Sequence, residues 1–174
     1  MTPYERVQAL RRELFEDVAD LPAPARRTKA IPGGWSPLEL LEHTVREDRM
    51  LIGRGAIRKG KPGRTPGLIL VLFWNRNAWP IPITLPSLEP RDEADFAQVA
   101  AASDAVHRGL GLIVGAAGEG DIVAIHPLVG RLTADQLCEV IASHYQYHLQ
   151  RLRLPSPGLS APTGNLAAFD PVAG

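Results

Sequence analysis

The stretch Ile141-Ala-Ser-His144-Tyr-Gln-Tyr-His148-Leu-Gln-Arg-Leu152 decides how this chain is expected to fold. In an α-helix, residues four positions apart lie on one face, so the rings of His144 and His148 would be neighbours. Two imidazoles spaced in this way can bind one transition-metal ion, as in other helical His-x-x-x-His sites. Whether the two histidines form a buried metal site therefore depends on which face of the helix carries them.

The residues before the pair indicate that face. Thr133-Ala-Asp-Gln136 has the form of a capping box, which predicts a helix that begins at about Ala134. Both histidines then fall on the apolar stripe of a core-facing helix, which consists of Leu137, Ile141, His144, His148 and Leu152. A buried imidazole without hydrogen-bond partners costs about 1–3 kcal/mol. A shared metal ion would satisfy both rings, and so would separate hydrogen bonds from neighbouring helices.

A third histidine lies in a helix predicted much earlier in the chain. Ser36-Pro37-Leu38-Glu39 combines an N-cap serine, a proline at the first helical position and a glutamate that completes the capping box. The helix should run from Leu38 to about Arg54, with His43 on or beside its inward stripe. Three histidines from two helices would leave one position for water or substrate, as in catalytic and substrate-binding metal sites.

Glu47 follows His43 by one helical turn and is the candidate catalytic residue. It could serve as a fourth ligand, as a hydrogen-bond acceptor for a ligand, or as a general base. The charged run Arg46-Glu47-Asp48-Arg49 favours the plainer interpretation of an exposed carboxylate. The ligand type does not select the metal, because imidazole suits zinc, nickel, copper and iron.

The two histidine segments resemble the DinB-like family. Gly34-Trp-Ser-Pro-Leu-Glu-Leu-Leu-Glu-His43 is similar to the signature that opens that family's second helix, and residues 126–133 with 144–152 are similar to its final-helix signature. The resemblance covers about residues 3–153. It implies an all-α, up-up-down-down four-helix bundle that holds a divalent metal, often nickel or zinc, on His43, His144 and His148.

The resemblance also implies a range of activities. Relatives include thiol-dependent S-transferases and a thiol-dependent maleylpyruvate isomerase, so we expect a metal-dependent transferase or hydrolase that acts on a small molecule, with a low-molecular-weight thiol as cosubstrate. It makes a homodimer plausible as well. Two alternatives stay open: a non-catalytic binding module that the metal stabilises, and a metal-free bundle whose histidines are structural.

Composition narrows the class of protein. A length of 174 residues fits one domain with a sizeable core, and 19 basic against 19 acidic residues gives no charge surplus for binding nucleic acid. The single cysteine, Cys138, excludes an intramolecular disulfide and suits a reducing compartment. It precedes His144 by six residues, about 240° around the helix, so we expect it at a helix contact outside the site. The run Leu68–Trp74 is too short to cross a membrane, and no signal peptide is visible, which favours the cytoplasm.

The rest of the chain gives two further helices and two irregular segments. Helix one is predicted over about Pro3 to Asp20, and helix three over about Arg91 to Val114, with Asp92, Glu93 and Asp95 in its first turns. The Gly/Pro-rich segment 55–90 should cross between helices two and three and pack over one end of the bundle. It would be a core patch, a dimer contact or a lid on a substrate pocket.

The remaining predictions concern boundaries and two isolated histidines. Residues 1–154 should form the bundle domain, and 155–174 a proline-rich tail without a core of its own. His107 is predicted at the boundary between core and surface. His126 is predicted in the loop that enters helix four, where a hydrogen bond from its ring would lock the loop.

Overall fold

The computed structural model describes residues 1–29, 34–53, 59, 88–90, 95–126 and 130–153. These residues form four α-helices, which we label α1 (Pro3–Ala19), α2 (Pro37–Gly53), α3 (Phe96–Ala116) and α4 (Ala134–Arg153). A short 3-10 turn follows α1, and two strands, β1 (Ile122–His126) and β2 (Gly130–Thr133), precede α4. The predicted all-α, four-helix class is confirmed, with a small sheet added to it.

The two capping boxes predicted from the sequence are present, and a third opens α1. The box that opens α4 shows the pattern: Thr133 N donates to Gln136 Oε1 over 3.0 Å, and Gln136 N donates to Thr133 Oγ1 over 3.3 Å. Equivalent reciprocal bonds join Thr2 to Glu5 and Ser36 to Glu39. The N-termini of the helices that carry the histidines were therefore set by local side-chain chemistry.

The predicted start of α3 was wrong. The helix begins at Phe96, because Asp95 acts as its N-cap and forms a capping box with Gln98. Asp95 thus lies before the first turn, where its side chain accepts a backbone hydrogen bond, and Asp92 and Glu93 lie outside the described residues. The other helix ends agree with prediction to within one or two residues.

Contacts with α1 give the directions of α3 and α4. Arg6 near the start of α1 pairs with Glu139 near the start of α4, and Asp17 near its end pairs with Arg153, so α1 and α4 run parallel. Along α3 the order is reversed, as the following pairs show: Tyr4 beside Gly111, Gln8 with His107, and Phe15 with Phe96. The helix α3 is therefore antiparallel to α1.

Contacts of α2 complete the arrangement and correct one expectation. Asp48 meets His107 and Ile52 packs beside Gly109, so α2 runs parallel to α3 and antiparallel to α4. The order of directions is up-down-down-up, and the up-up-down-down order implied by the resemblance is wrong for this chain. Parallel neighbours that follow each other in sequence need a connection that returns along the bundle, which the long segment 54–95 is able to supply.

A short β-hairpin before α4 was not predicted. Strands β1 and β2 pair antiparallel, with Ile125 opposite Arg131 and His126 opposite Gly130. Gly130 has φ of 81°, a backbone conformation that favours glycine. His126 is the last residue of β1 and is buried, so the prediction that it lies in a loop is wrong.

Aliphatic side chains from all four helices and the hairpin fill the interior, among them Leu14, Leu41, Leu110, Leu132 and Ile141. Cys138 is buried in this core, as predicted. None of the described helices combines the length with the apolar character needed to cross a bilayer. The predicted tail and nearly all of the predicted crossover lie outside the described residues, so the division at residue 154 stays a prediction.

Candidate metal centre

Three histidine rings from two antiparallel helices meet inside the bundle. His43 comes from α2, and His144 and His148 come from α4; one ring nitrogen of each lies within 4.8 Å of the other two. The three side chains are 5%, 2% and 5% exposed, so all of them face inward. The ring centroid of His43 lies 5.2 Å from that of His144 and 5.3 Å from that of His148. The structure thus brings together the three histidines that were predicted from the apolar stripes of the two helices.

The protonation of His43 is fixed by a backbone carbonyl. Its Nδ1 lies 3.0 Å from the carbonyl oxygen of Leu88, in a buried hydrogen bond. A carbonyl oxygen can only accept, so Nδ1 carries the proton, and in the neutral ring Nε2 keeps its lone pair. Histidines that ligate metals characteristically donate their second ring nitrogen in this way.

The other two rings approach each other edge to face. The Nε2 atoms of His144 and His148 are 2.7 Å apart, at an interplanar angle of 69°. Two bare lone pairs repel at this distance, so a proton or a cation has to lie between or beside them. A neutral N–H···N hydrogen bond between the two rings or a bound cation would each account for this approach, and one ring nitrogen of His43 lies in the same cluster.

Glu47 adds a carboxylate to the cluster. Its Oε2 lies 3.1 Å from Nε2 of His144 and 3.6 Å from Nε2 of His43. The side chain is buried, so the interpretation of Glu47 as an exposed carboxylate is wrong. The helical period explains this: Glu47 shares the inward face with His43, whereas Arg46 turns away to pair with Glu42 and Arg49 is exposed.

Aromatic side chains line two sides of the histidine cluster. Trp35, which precedes the serine cap of α2, is half-buried and packs on His43 with ring centroids 4.4 Å apart. Tyr147 packs edge to face on His148, with ring centroids 5.1 Å apart. The Tyr145 hydroxyl points away from this cluster and donates to Asp48. The indole and the phenol ring therefore each contact one histidine of the cluster.

The prediction that His107 lies at the boundary between core and surface is wrong. His107 is 3% exposed, and its Nε2 lies 3.0 Å from both Asp48 Oδ2 and Tyr145 Oη. A signal was available, because Ser103, His107 and Leu110 follow each other at helical spacings of four and three, and all three are buried. His107 belongs to a second polar cluster, next to the histidine triad but separate from it.

The thiol of Cys138 takes no part in either cluster. Burial, with smaller contributions from Asp135 and Glu139, raises its pKa to about 12. A metal-ligating cysteine has to lose its proton, so this environment opposes ligation. The described part of the chain therefore offers imidazole and carboxylate at the site, and no thiolate.

Comparison with known proteins adds one finding. A family model described as the DinB superfamily matches residues 5–152 of the chain. The matched region includes both helices that supply the histidines, together with Glu47. No curated protein and no solved structure matches the chain.

Proposed function

This chain belongs to the DinB superfamily, and from that premise we propose that it binds one divalent transition-metal ion through Nε2 of His43, His144 and His148. We further propose that it uses the ion to catalyse a reaction of a small molecule. The observation that carries the proposal is the convergence of three buried imidazoles, one of which donates from Nδ1 to the Leu88 carbonyl.

The spacing of the nitrogens suits such an ion. Zinc binds histidine at about 2.0–2.1 Å, which places the nitrogens of a tetrahedral site roughly 3.3 Å apart. The three ring nitrogens lie within 4.8 Å of one another, and the His144 and His148 nitrogens, 2.7 Å apart, would have to separate by about 0.6 Å to bind such an ion. Neutral imidazole with a nearby carboxylate is a donor set that favours nickel or zinc over calcium or magnesium.

The expected chemistry follows from three protein ligands and a neighbouring base. A divalent ion in this position is a Lewis acid that eases deprotonation of water or of a thiol. Glu47 would accept that proton, a role supported by the 3.1 Å distance from its Oε2 to the ring of His144. We place transfer to or from a low-molecular-weight thiol ahead of hydrolysis. The buried Cys138 lies outside the site, so the thiol has to be a separate molecule.

One observation favours a second candidate function. Glu47 Oε2 lies close to two of the histidine nitrogens, at 3.1 and 3.6 Å, where a fourth ligand would also be found. A tetrahedral ion with four protein ligands has no open position, and such closed sites are usually structural. In that case the protein would be a metal-stabilised helical module that binds a partner or a small ligand without catalysis.

The first test of the proposal is to identify the element. Protein purified without chelators is analysed for nickel, zinc, copper and iron, and anomalous diffraction locates the ion. About one equivalent at the three histidines is expected, and metal-free protein that takes up no ion in titration would overturn the proposal. Assays with low-molecular-weight thiols and small electrophiles, on loaded and on stripped protein, then separate the enzyme from the binding module.

Two further expectations belong to the same proposal. A homodimer, implied by the family resemblance, is tested by light scattering of the purified protein. A cytoplasmic location is tested by fractionation of the cells that express it.

A further inference from the structure

A second buried polar network lies beside the histidine cluster and joins all four helices. It consists of Gln8 from α1, Asp48 from α2, His107 from α3 and Tyr145 from α4. Asp48, His107 and Tyr145 are 1%, 3% and 0% exposed, so solvent cannot satisfy them. Buried polar groups are costly unless each finds a partner, and a fully connected network defines one arrangement of the elements that carry it.

The hydrogen bonds of this network can be assigned consistently. Tyr145 Oη donates to Asp48 Oδ2 over 2.5 Å, and burial together with the charge of Asp48 raises the pKa of the phenol, which keeps its proton. The phenol oxygen and the carboxylate then both accept from His107 Nε2–H, each over 3.0 Å. His107 Nδ1 is left as an acceptor for the Gln8 amide at 3.2 Å. In this assignment each of the four side chains has a hydrogen-bond partner.

The two clusters are built on consecutive residues of the same two helices. Glu47 reaches His144 over 3.1 Å, and the next residue on each helix, Asp48 and Tyr145, makes the 2.5 Å bond. Successive helical residues rise by about 1.5 Å and point about 100° apart. One contact between α2 and α4 therefore faces the histidine triad, while the next contact faces α3.

We propose that Asp48, His107 and Tyr145 are positioning residues for the metal centre. They hold α2 against α4 in the register that brings Glu47 and His43 to the two histidines of α4. A shift or rotation of either helix would break the Tyr145–Asp48 bond and move the Glu47–His144 contact at the same time. This inference rests on the proposed metal binding and adds to it the residues that preorganise the site.

The test measures metal affinity and folding stability separately. Tyr145→Phe removes one buried oxygen and keeps the ring, Asp48→Leu removes the carboxylate, and Asp48→Asn keeps an acceptor oxygen at nearly the same place. Kd values for Zn²⁺ and Ni²⁺ are measured by competition with a chromophoric chelator. Val18→Ala, a core change in α1 outside both clusters, is the control for lost stability alone.

We expect Tyr145→Phe and Asp48→Leu to weaken metal binding about 10- to 100-fold, the range found when residues behind a metal ligand are changed. Asp48→Asn should lose less than Asp48→Leu. The double variant Tyr145→Phe/Asp48→Leu should lose no more than the weaker-binding single variant, because both changes break the same network. Val18→Ala should lower the thermal midpoint of the metal-free protein and leave Kd unchanged.

The possible failures are distinguishable. Wild-type protein that binds neither ion removes the proposed function, and this inference with it. Wild-type protein that binds metal while Tyr145→Phe binds equally well removes this inference alone, and so does equal weakening in Val18→Ala. If Asp48→Leu does not fold, Tyr145→Phe decides the matter, since it deletes a single oxygen atom.

Discussion

The Nδ1 atom of His43 donates to the carbonyl oxygen of Leu88, a residue 45 positions further along the chain. Leu88 is buried and lies just before α3, in the short described part of the connection from α2. With Nδ1 engaged in this bond, Nε2 is the ring nitrogen that His43 would offer to a metal. The connection between α2 and α3 therefore contributes a backbone group to the candidate metal centre as well as joining two parallel helices.

Replacement of His144 by alanine should remove most of the bound metal. In the proposed site the ring is one of three ligands, and it also contacts Glu47, so the loss should exceed the roughly 10- to 100-fold weakening typical of residues that only support a ligand. The aliphatic core is left in place, so far-UV circular dichroism should show nearly unchanged helicity. Elemental analysis of the purified variant makes the measurement.

His126→Ala is the matched control for His144→Ala. His126 is also buried, but it lies on β1 and is not part of the triad. The His126→Ala variant should keep about one equivalent of metal. Equal metal content in wild-type and His144→Ala protein would contradict ligation by this ring, and loss of metal in both variants would point to a general effect of removing buried histidines.

The variant Glu47→Gln should show whether Glu47 acts as a general base or as a fourth metal ligand. The amide has nearly the shape of the carboxylate but binds metals poorly and cannot take up a proton. If Glu47 is the general base, the variant keeps its metal and loses turnover by about 10²–10⁴-fold. If Glu47 is the fourth ligand, metal affinity falls first. Metal content and turnover are measured on the same preparation, and a variant that retains both would exclude Glu47 from either role.

The sequence predicted those features that depend on neighbouring residues. Capping boxes and apolar stripes are local patterns, and they located the N-termini of α2 and α4 and the shared inward face of His144 and His148. His43 followed by the same reasoning. The burial of Glu47 could have been predicted too, but the charged run around it outweighed its helical spacing from His43.

Features that depend on distant parts of the chain were missed. The carbonyl of Leu88 could not be foreseen, because a backbone group carries no signal in the sequence. The partners of His107 come from α1, α2 and α4, so they required the packing of the bundle to be known. The predicted order of helix directions was wrong for the same reason. The family signatures identify which segments are helical, whereas the directions follow from contacts between distant residues, such as Asp17 with Arg153.

Cys138 should resist thiol reagents in the folded protein. Its pKa of about 12 leaves little thiolate at pH 8, so reaction with a disulfide reagent should be about a thousandfold slower than for a free cysteine. One thiol should appear when the protein is unfolded in guanidinium, and none in Cys138→Ala. Rapid labelling of the folded protein would contradict the burial of Cys138 and would reopen its exclusion as the reacting thiol.

Acid should weaken the start of α2 through Glu39. Burial by itself would raise the pKa of this carboxyl, but the backbone N–H of Ser36 and the ammonium of Lys29, which lies 2.9 Å from Oε1, outweigh it and hold the pKa below its usual value. A carboxyl whose pKa is lower in the folded state stabilises the protein above the unfolded pKa of about 4.3 and loses that contribution as pH falls through the folded value.

The free energy of unfolding of metal-free protein, measured in urea between about pH 6 and pH 3, should therefore fall more steeply for wild type than for Glu39→Gln, which keeps a neutral capping box. Lys29→Met should give an intermediate slope, because it removes the ion pair and leaves the bond from Ser36. Parallel curves for wild type and Glu39→Gln would show that the ionised form of Glu39 does not stabilise the helix that carries His43.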